Sequence, residues 1–250
     1  MVWRNTSQLG RRRSLKPKEV TGVLGRDEDV FKTDEIGNLT AAVEAIPLFP
    51  LPGTVFIPHT LLPLHVFEPR YRDLVDDAMS GSKILAVPRL RPGWERQYDG
   101  SPAVFETAGF GKIIQYDPLP DGRANIVLAG LGRVRIRREL KPDSLYRVAE
   151  GSLVNDTLPE GGERALEASL GRLRMMLAQI MAGRMGLTER LSPLLDKRLE
   201  AAQLVNGLGN MLLPDVDARQ GFLETRCIVE RVEHVETMLA GALVDAVAHA

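Results

Sequence analysis

The residues of this 250-residue chain that could do chemistry are sparse, and their spacing excludes the familiar reaction centres. A phosphate-cradling loop needs G-x-x-x-x-G-K-[ST], so that backbone amides surround the phosphates while the Lys and the hydroxyl meet the γ-phosphate and magnesium. The one Gly-Lys pair, Gly111-Lys112, is followed by Ile113 and has Glu106 where the first glycine belongs. Gly109-Phe110-Gly111 runs on into Lys112-Ile113-Ile114, which breaks the dinucleotide pattern, and neither G-x-S-x-G nor H-E-x-x-H occurs. The four histidines, His59, His65, His234 and His249, lack tight ligand spacing. His65 and Glu68 would meet only if a helix began early, so polar structural roles are the expectation. Cys227 stands beside Ile228 and Val229 with Arg226 as its only adjacent charge, and is expected to be buried and inert. Asp and Glu are the only plentiful acid–base groups and form no evident constellation. No catalytic residue, metal or cofactor is expected.

The elements that position these residues divide the chain in two. Residues 1–43 lack sustained apolar periodicity, and residues 1–18 carry Arg4, Arg11, Arg12, Arg13, Lys16 and Lys18 without an acid, which reads as a disordered, basic-leading tail. No apolar signal-peptide core follows the arginines, and no apolar run approaches the roughly 20 residues that span a bilayer. One cysteine excludes a disulfide framework and fits a reducing compartment, so the cytoplasm is expected. A 44% hydrophobic content suits a packed core, and a net charge of -1 gives no overall pull toward nucleic acid or anionic membrane.

Residues 44–156 alternate short apolar runs with Pro and Gly and read as strands and turns. Extended segments are expected at 61–67, 84–87, 103–115, 123–129 and 146–154, with a helix from Pro69 toward Gly81 and a turn at Asp121-Gly122. Arg133-Val134-Arg135-Ile136-Arg137 alternates with period two, which points Val134 and Ile136 inward and the arginines to water. Phe49, Leu64 and Phe67 are expected in the core, and the 89–102 stretch as an exposed loop. Residues 160–246 change to helical period. Leu166, Leu170, Leu173, Leu177 and Ile180 form one stripe, Ile228, Val232, Val235, Leu239 and Ala242 another, and Ser192-Pro193 and Pro214-Asp215 mark further starts.

Ile46-Pro47-Leu48-Phe49-Pro50-Leu51, then Leu62-Pro63-Leu64-His65-Val66-Phe67-Glu68-Pro69-Arg70-Tyr71, resembles the opening of the Lon N-terminal, or substrate-binding, domain family. Gly109-Phe110-Gly111, Leu119-Pro120-Asp121-Gly122-Arg123 and Leu128 to Ile136 are similar to the family's later strand motifs, in order. The resemblance implies an α+β protein, a PUA-like β pseudo-barrel followed by a C-terminal α-helical bundle. It also implies an activity of gripping unfolded or exposed polypeptide. No match to the family's Ser-Lys protease segment is recognisable.

Capture of varied clients needs exposed apolar surface. The best candidates are Trp94 and Tyr98 in the 89–102 loop, with Met175, Met176, Met181 and Met185 on the first long helix, because Met adapts to varied partners. The rival reading puts these methionines between helices as core. The alternative function is RNA binding through Arg133, Arg135, Arg137 and Arg138, though no aromatic neighbour offers a base-stacking surface. The expected partners are unfolded or exposed polypeptide segments and a separate protease, not a membrane.

Overall fold

A computed structural model describes residues 36–97, 100–141, 144–183, 192–196 and 198–248. Helix α1 (Ile36–Glu44) leads into β1 (Ile46–Leu48), followed by β2 (Leu61–Val66), α2 (Pro69–Ser80), β3 (Ile84–Val87), β4 (Thr107–Pro118), β5 (Ala124–Glu139) and β6 (Arg147–Leu153). Four helices follow: α3 (Glu163–Gly183), α4 (Ala201–Leu212), α5 (Val216–Glu224) and α6 (Ile228–Ala248).

The six strands form one sheet in the order β2-β5-β4-β3-β1-β6, and β6 also pairs with β5. That last pairing closes β5-β4-β3-β1-β6 into a ring, with β2 attached to the first half of β5. One 16-residue strand can serve three neighbours because it is irregular. Phe110 pairs with Gly132 but Gly111 with Gly130, so Leu131 is an extra residue, and Arg137 is skipped where β5 meets β6. Such bulges bend and twist a strand, which a small closed sheet requires. The sequence pattern suggests two strands, 123–129 and 133–137; the structure runs them together through the bulge.

Period-two alternation assigns each strand face to a core. In β3, Leu85 and Val87 join Phe49, Leu74 and Ile126 under α2, while Ile84 and Ala86 join Val43, Phe110 and Val134 beneath α1. α1 lies within the stretch expected to be tail, and Val43 is buried against the sheet. The tail expectation therefore fails over 36–43, and residues 1–35 lie outside the described set. A third core joins the four later helices through Leu173, Leu204, Phe222 and Val232. α3 and α6 run side by side in the same direction, because Thr157 bridges to Cys227 just before both begin and Arg172 pairs with Glu236 further along. Asp215 caps α5 by accepting from the Ala218 amide at 2.7 Å, as Pro214-Asp215 suggests. Ser192-Pro193 opens only a single 3₁₀ turn.

The segment between β1 and β2 ties sheet to helices. Val55 and Ile57 enter the helical core while Phe56 enters the core under α2. Its path lies directly over β4: a Cβ at Gly109 would sit 1.8 Å from the Phe56 carbonyl oxygen. Gly109→Ala must displace that backbone and is expected to cost about 3 kcal/mol or more in urea unfolding. Gly53→Ala, with nothing within 4 Å of the added methyl, is expected to stay within about 0.5 kcal/mol of the parent.

Candidate functional site

The most charged part of the interior lies where the ring meets the helices. Arg133 of β5 and Arg231 of α6, both nearly inaccessible, converge on the two oxygens of Asp156, which remains about one-third exposed. Arg133 also donates to the Leu223 and Thr225 carbonyls at 3.0 and 2.7 Å, closing the end of α5. Burial pushes the Arg133 guanidinium down to about 10, against the pull of Asp156, so it is still charged at neutral pH. The expectation that Arg133 faces water is overturned: the end of α5 packs over that face of β5 and covers it.

Arg231 donates to Asn206 Oδ1 at 2.5 Å, and Asn206 Nδ2 lies 3.1 Å from His59 Nδ1. A guanidinium can only donate, so Asn206 presents its oxygen to Arg231 and its amide hydrogens to His59, whose Nδ1 accepts as a neutral ring. Burial lowers the His59 pKa from 6.5 to about 4; Asp156 opposes this, while Arg231 and Arg133 reinforce it. Two more ties cross the joint, Arg89 to Asp217 at 2.6 Å and Gln220 to the Thr107 carbonyl at 3.0 Å. The buried Arg89 departs from the exposed loop expected for 89–102.

The structure scatters the residues expected to contact clients. Trp94 is half-buried in a 3₁₀ turn after β3, while Tyr98 and Met185 lie outside the described residues. Met175 is 66% exposed on α3, but Met176 and Met181 pack partly against the helical core, where the core reading holds. Phe49 is buried and stacks on Tyr71 with ring centroids 4.2 Å apart. Phe67, expected inside, is 45% exposed, because it follows the last residue of β2 and faces the His65 ring. Cys227 is half-buried rather than buried. Of the four arginines of the basic strand, Arg133 is taken by Asp156 and Arg138 by Glu150, leaving Arg135 and Arg137 exposed. His65 Nδ1 lies 2.8 Å from Asn125 Oδ1, and Glu68 pairs with Arg70 at 2.8 Å, so both have protein partners. Among the described residues no group of three or more His, Cys, Asp or Glu side chains is placed to hold a metal ion. Among them, too, no helix is long and apolar enough to cross a membrane.

Two surface grooves stand out. One, about 430 Å³, lies between Pro50, Tyr71, Arg70, Tyr146 and Arg147. Its polar atoms are largely engaged: Tyr146 donates to Asp77 at 2.8 Å, and burial, followed by that bond, pushes its phenol up to about 12. Arg147 is held by Glu139 and by the Pro102 carbonyl. The other, about 630 Å³ and more apolar, runs between Leu39 and Val43 of α1 and Leu131, Leu153 and Val154 on the β5–β6 side, with Phe110 at its base.

The fold is α+β, a closed six-stranded sheet joined to helices, and comparison with known proteins gives its family. The family model described as the ATP-dependent protease La (LON) substrate-binding domain matches residues 45–241, and the chain belongs to that family. It is 28% identical over 151 residues to Lon protease 1 of Herpetosiphon aurantiacus, covering 59% of this chain and 18% of that protein. It is 29% identical over 196 residues to Lon protease 2 of Syntrophobacter fumaroxidans, covering 77% and 24%. The chain thus spans about a quarter or less of the curated relatives it matches. The N-terminal domain of Mycobacterium avium complex Lon protease superposes with a TM-score of 0.61 at 16% identity, covering 78% of this chain and 98% of that one. A Lon N-terminal domain protein from Xanthomonas campestris gives 0.53 at 25% identity, covering 77% and 97%.

Sequence reasoning did not find Asp156, Arg231, Asn206 or His59. The available signal was Arg231 itself, one residue from Val232 on the buried arc of α6, where an arginine must find partners.

Two outcomes test the joint. Asp156→Asn leaves two buried guanidinium groups without a carboxylate and is expected to cost about 3 kcal/mol, toward the low end for breaking a buried pair because Asp156 still touches water. The folded state refuses a proton at His59 until about pH 4, whereas the unfolded chain takes one up near 6.5. Stability is therefore full above pH 6.5 and falls as the pH drops through that window, by up to about 3 kcal/mol. His59→Asn, a residue that tolerates the local φ of 62°, is expected to flatten that slope in unfolding curves measured across the window.

Proposed function

We propose that this chain is a non-catalytic polypeptide-binding module that recognises unfolded or exposed segments of other proteins in the cytoplasm. It serves Lon-type proteolysis as an adaptor or an ATP-independent holdase. The observation that carries the reading is membership of a substrate-binding family over residues 45–241, in a chain whose surface offers apolar grooves and exposed side chains. The closed ring supports assigning residues 44–156 to a PUA-like pseudo-barrel and 160–246 to a helical bundle. Residues 1–43 count as a separate leading segment in this division, with α1 of that segment packed on the barrel.

Of the client contacts, Met175 fits best, a flexible apolar side chain already in water. Trp94 and Tyr98 would extend the contact from the loop after β3, while Met176 and Met181 contribute only their partly exposed sides. RNA binding loses support from Arg133, which is buried in an internal ion pair, and Arg138 is paired with Glu150 at the surface.

The test is suppression of aggregation of a chemically unfolded model client without ATP, with the client followed for cleavage. Suppression with the client intact is expected. Absence of suppression would overturn general capture, and cleavage would overturn the non-catalytic reading. Met175→Glu is expected to weaken client binding roughly tenfold, since about 1.5 kcal/mol of apolar burial is lost.

A further inference from the structure

Helix α1 is one wall of the more apolar groove and also the first element among the described residues, with 35 residues of chain before Ile36. Leu39 of α1, Leu131 and Leu153 line this groove, each only partly buried, with the buried Phe110 at the base. Its volume, about 630 Å³, falls within the ~300–1,000 Å³ of ordinary ligand sites. Glu44, at the end of α1, also lines a neighbouring depression with Arg137, Glu150, Gly151 and Ser152, whereas Leu39 and Thr40 line only the groove, which continues to Val154 and Asn155. The start of α1 therefore lies toward Leu153–Asn155, and the chain leading into Ile36 arrives at that end.

The leading chain carries an apolar pair within reach. Val30-Phe31 contains the one aromatic residue between Trp3 and Phe49. It stands between Asp27-Glu28-Asp29 and Lys32-Thr33-Asp34-Glu35, an apolar island with polar residues on both sides. Five residues from Phe31 to Ile36 span up to about 17 Å when extended. The nine residues of α1 are only about 13 Å long, so Phe31 can reach back along the whole helix that it precedes. The next apolar pair, Val23-Leu24, lies seven residues farther away. A short tether holds a segment at mM-range effective concentration, so a contact too weak to matter between separate molecules keeps its site filled. A phenylalanine ring offers a large apolar area for this and loses little side-chain freedom. Charge does not select the occupant, because Arg137 is balanced by Glu44, and Glu150 is already paired with Arg138. The match is apolar contact and reach.

We infer that Val30 and Phe31 fold back beside the start of α1 and occupy the groove lined by Leu39, Leu131 and Leu153, so that the chain carries its own competitor for this surface. The consequence for clients rests on the polypeptide-binding reading above: an incoming segment must displace Phe31, and its apparent affinity falls with the fraction of chains in which the groove is open.

The experiment replaces Phe31 in the full chain with p-benzoylphenylalanine, a photoreactive aromatic, and maps its cross-links by mass spectrometry at two protein concentrations. Most cross-links are expected within one chain, at 39–44, 131–133 and 151–155, with a yield independent of concentration. Leu131→Gln is expected to lower that yield about tenfold, with thermal unfolding confirming that the variant folds. The same label at position 24 is expected to reach the groove at least about fivefold less often. A second arm follows an end-blocked, labelled Leu/Val-rich peptide by fluorescence anisotropy. Phe31→Asp is expected to tighten its binding about tenfold, as for a groove filled in about nine chains of ten.

Cross-links scattered over the surface, or a yield unchanged by Leu131→Gln, overturn the proposal. Cross-links between chains, rising with concentration, mean that a second copy's leading segment fills the groove, and the fold-back falls. Equal peptide affinity in the parent and in Phe31→Asp overturns the competition, and the proposal with it. If the peptide binds neither form while the cross-links map to the groove, the fold-back stands and the polypeptide-binding reading is what fails.

Discussion

Asp156 sits in the link between the last strand and the first long helix, and from there it holds a guanidinium from each half of the molecule. Arg133 comes from the strand on which the ring closes, and Arg231 from the last helix. Neither arginine can be buried alone, because an unpaired interior charge is costly, so each half needs the same carboxylate to become compact. The Arg133 contacts to the Leu223 and Thr225 carbonyls extend this dependence to the end of α5. Two adjacent backbone bonds reinforce it: the Thr157 amide donates to the Arg226 carbonyl, and the Ile228 amide donates to the Thr157 carbonyl. The relative placement of sheet and helices thus rests on a short polar stretch flanked by apolar contact.

The apolar side of the same joint comes from the segment between β1 and β2. Val55 and Ile57 point one way and Phe56 the other, so one extended stretch serves two cores. Its path is permitted by missing side chains on β4 and β5: a Cβ at Gly111 would lie 2.7 Å from the Phe56 ring, and one at Gly130 would lie 2.8 Å from the Ile57 carbonyl oxygen. Thr60 and the His59 amide then anchor the end of the stretch, the hydroxyl to the Ile57 carbonyl and the amide to the Gly130 carbonyl. Close backbone packing and the ionic joint therefore constrain the same few residues from opposite sides.

What was legible in the sequence follows from which signals are local. The Pro69 helix start, the Asp121-Gly122 turn, the inward Val134 and Ile136, the stripe of α3 and that of α6 from Ile228 to Leu239 each depend on a few consecutive residues, and each is found in place. The continuity of β5 was not legible, because Gly130-Leu131-Gly132 reads locally as a break; only pairing with β4 turns it into a bulge. Period two gave the right face for Val134 but the wrong environment for Arg133, since a face exposed on an isolated strand is covered here by α5. Phe67 failed in the opposite sense, an aromatic one residue beyond its strand that reaches the surface. Of the candidate contacts among the described residues only Met175 reads as freely exposed, because helical spacing distinguishes the faces of α3 but not how far neighbouring helices overlap them. The groove between α1 and the β5–β6 side was invisible for the same reason as the bulge: its walls come from α1, β5 and β6, and no local pattern joins them.

A formal net charge of -1 describes the whole chain and conceals how charge is distributed. Two of the strand arginines are matched locally, Arg138 with Glu150 and Arg147 with Glu139. At the joint the matching is incomplete, because one carboxylate serves two buried guanidinium groups. The requirement that holds the two halves together therefore places two like charges around one acid at the joint.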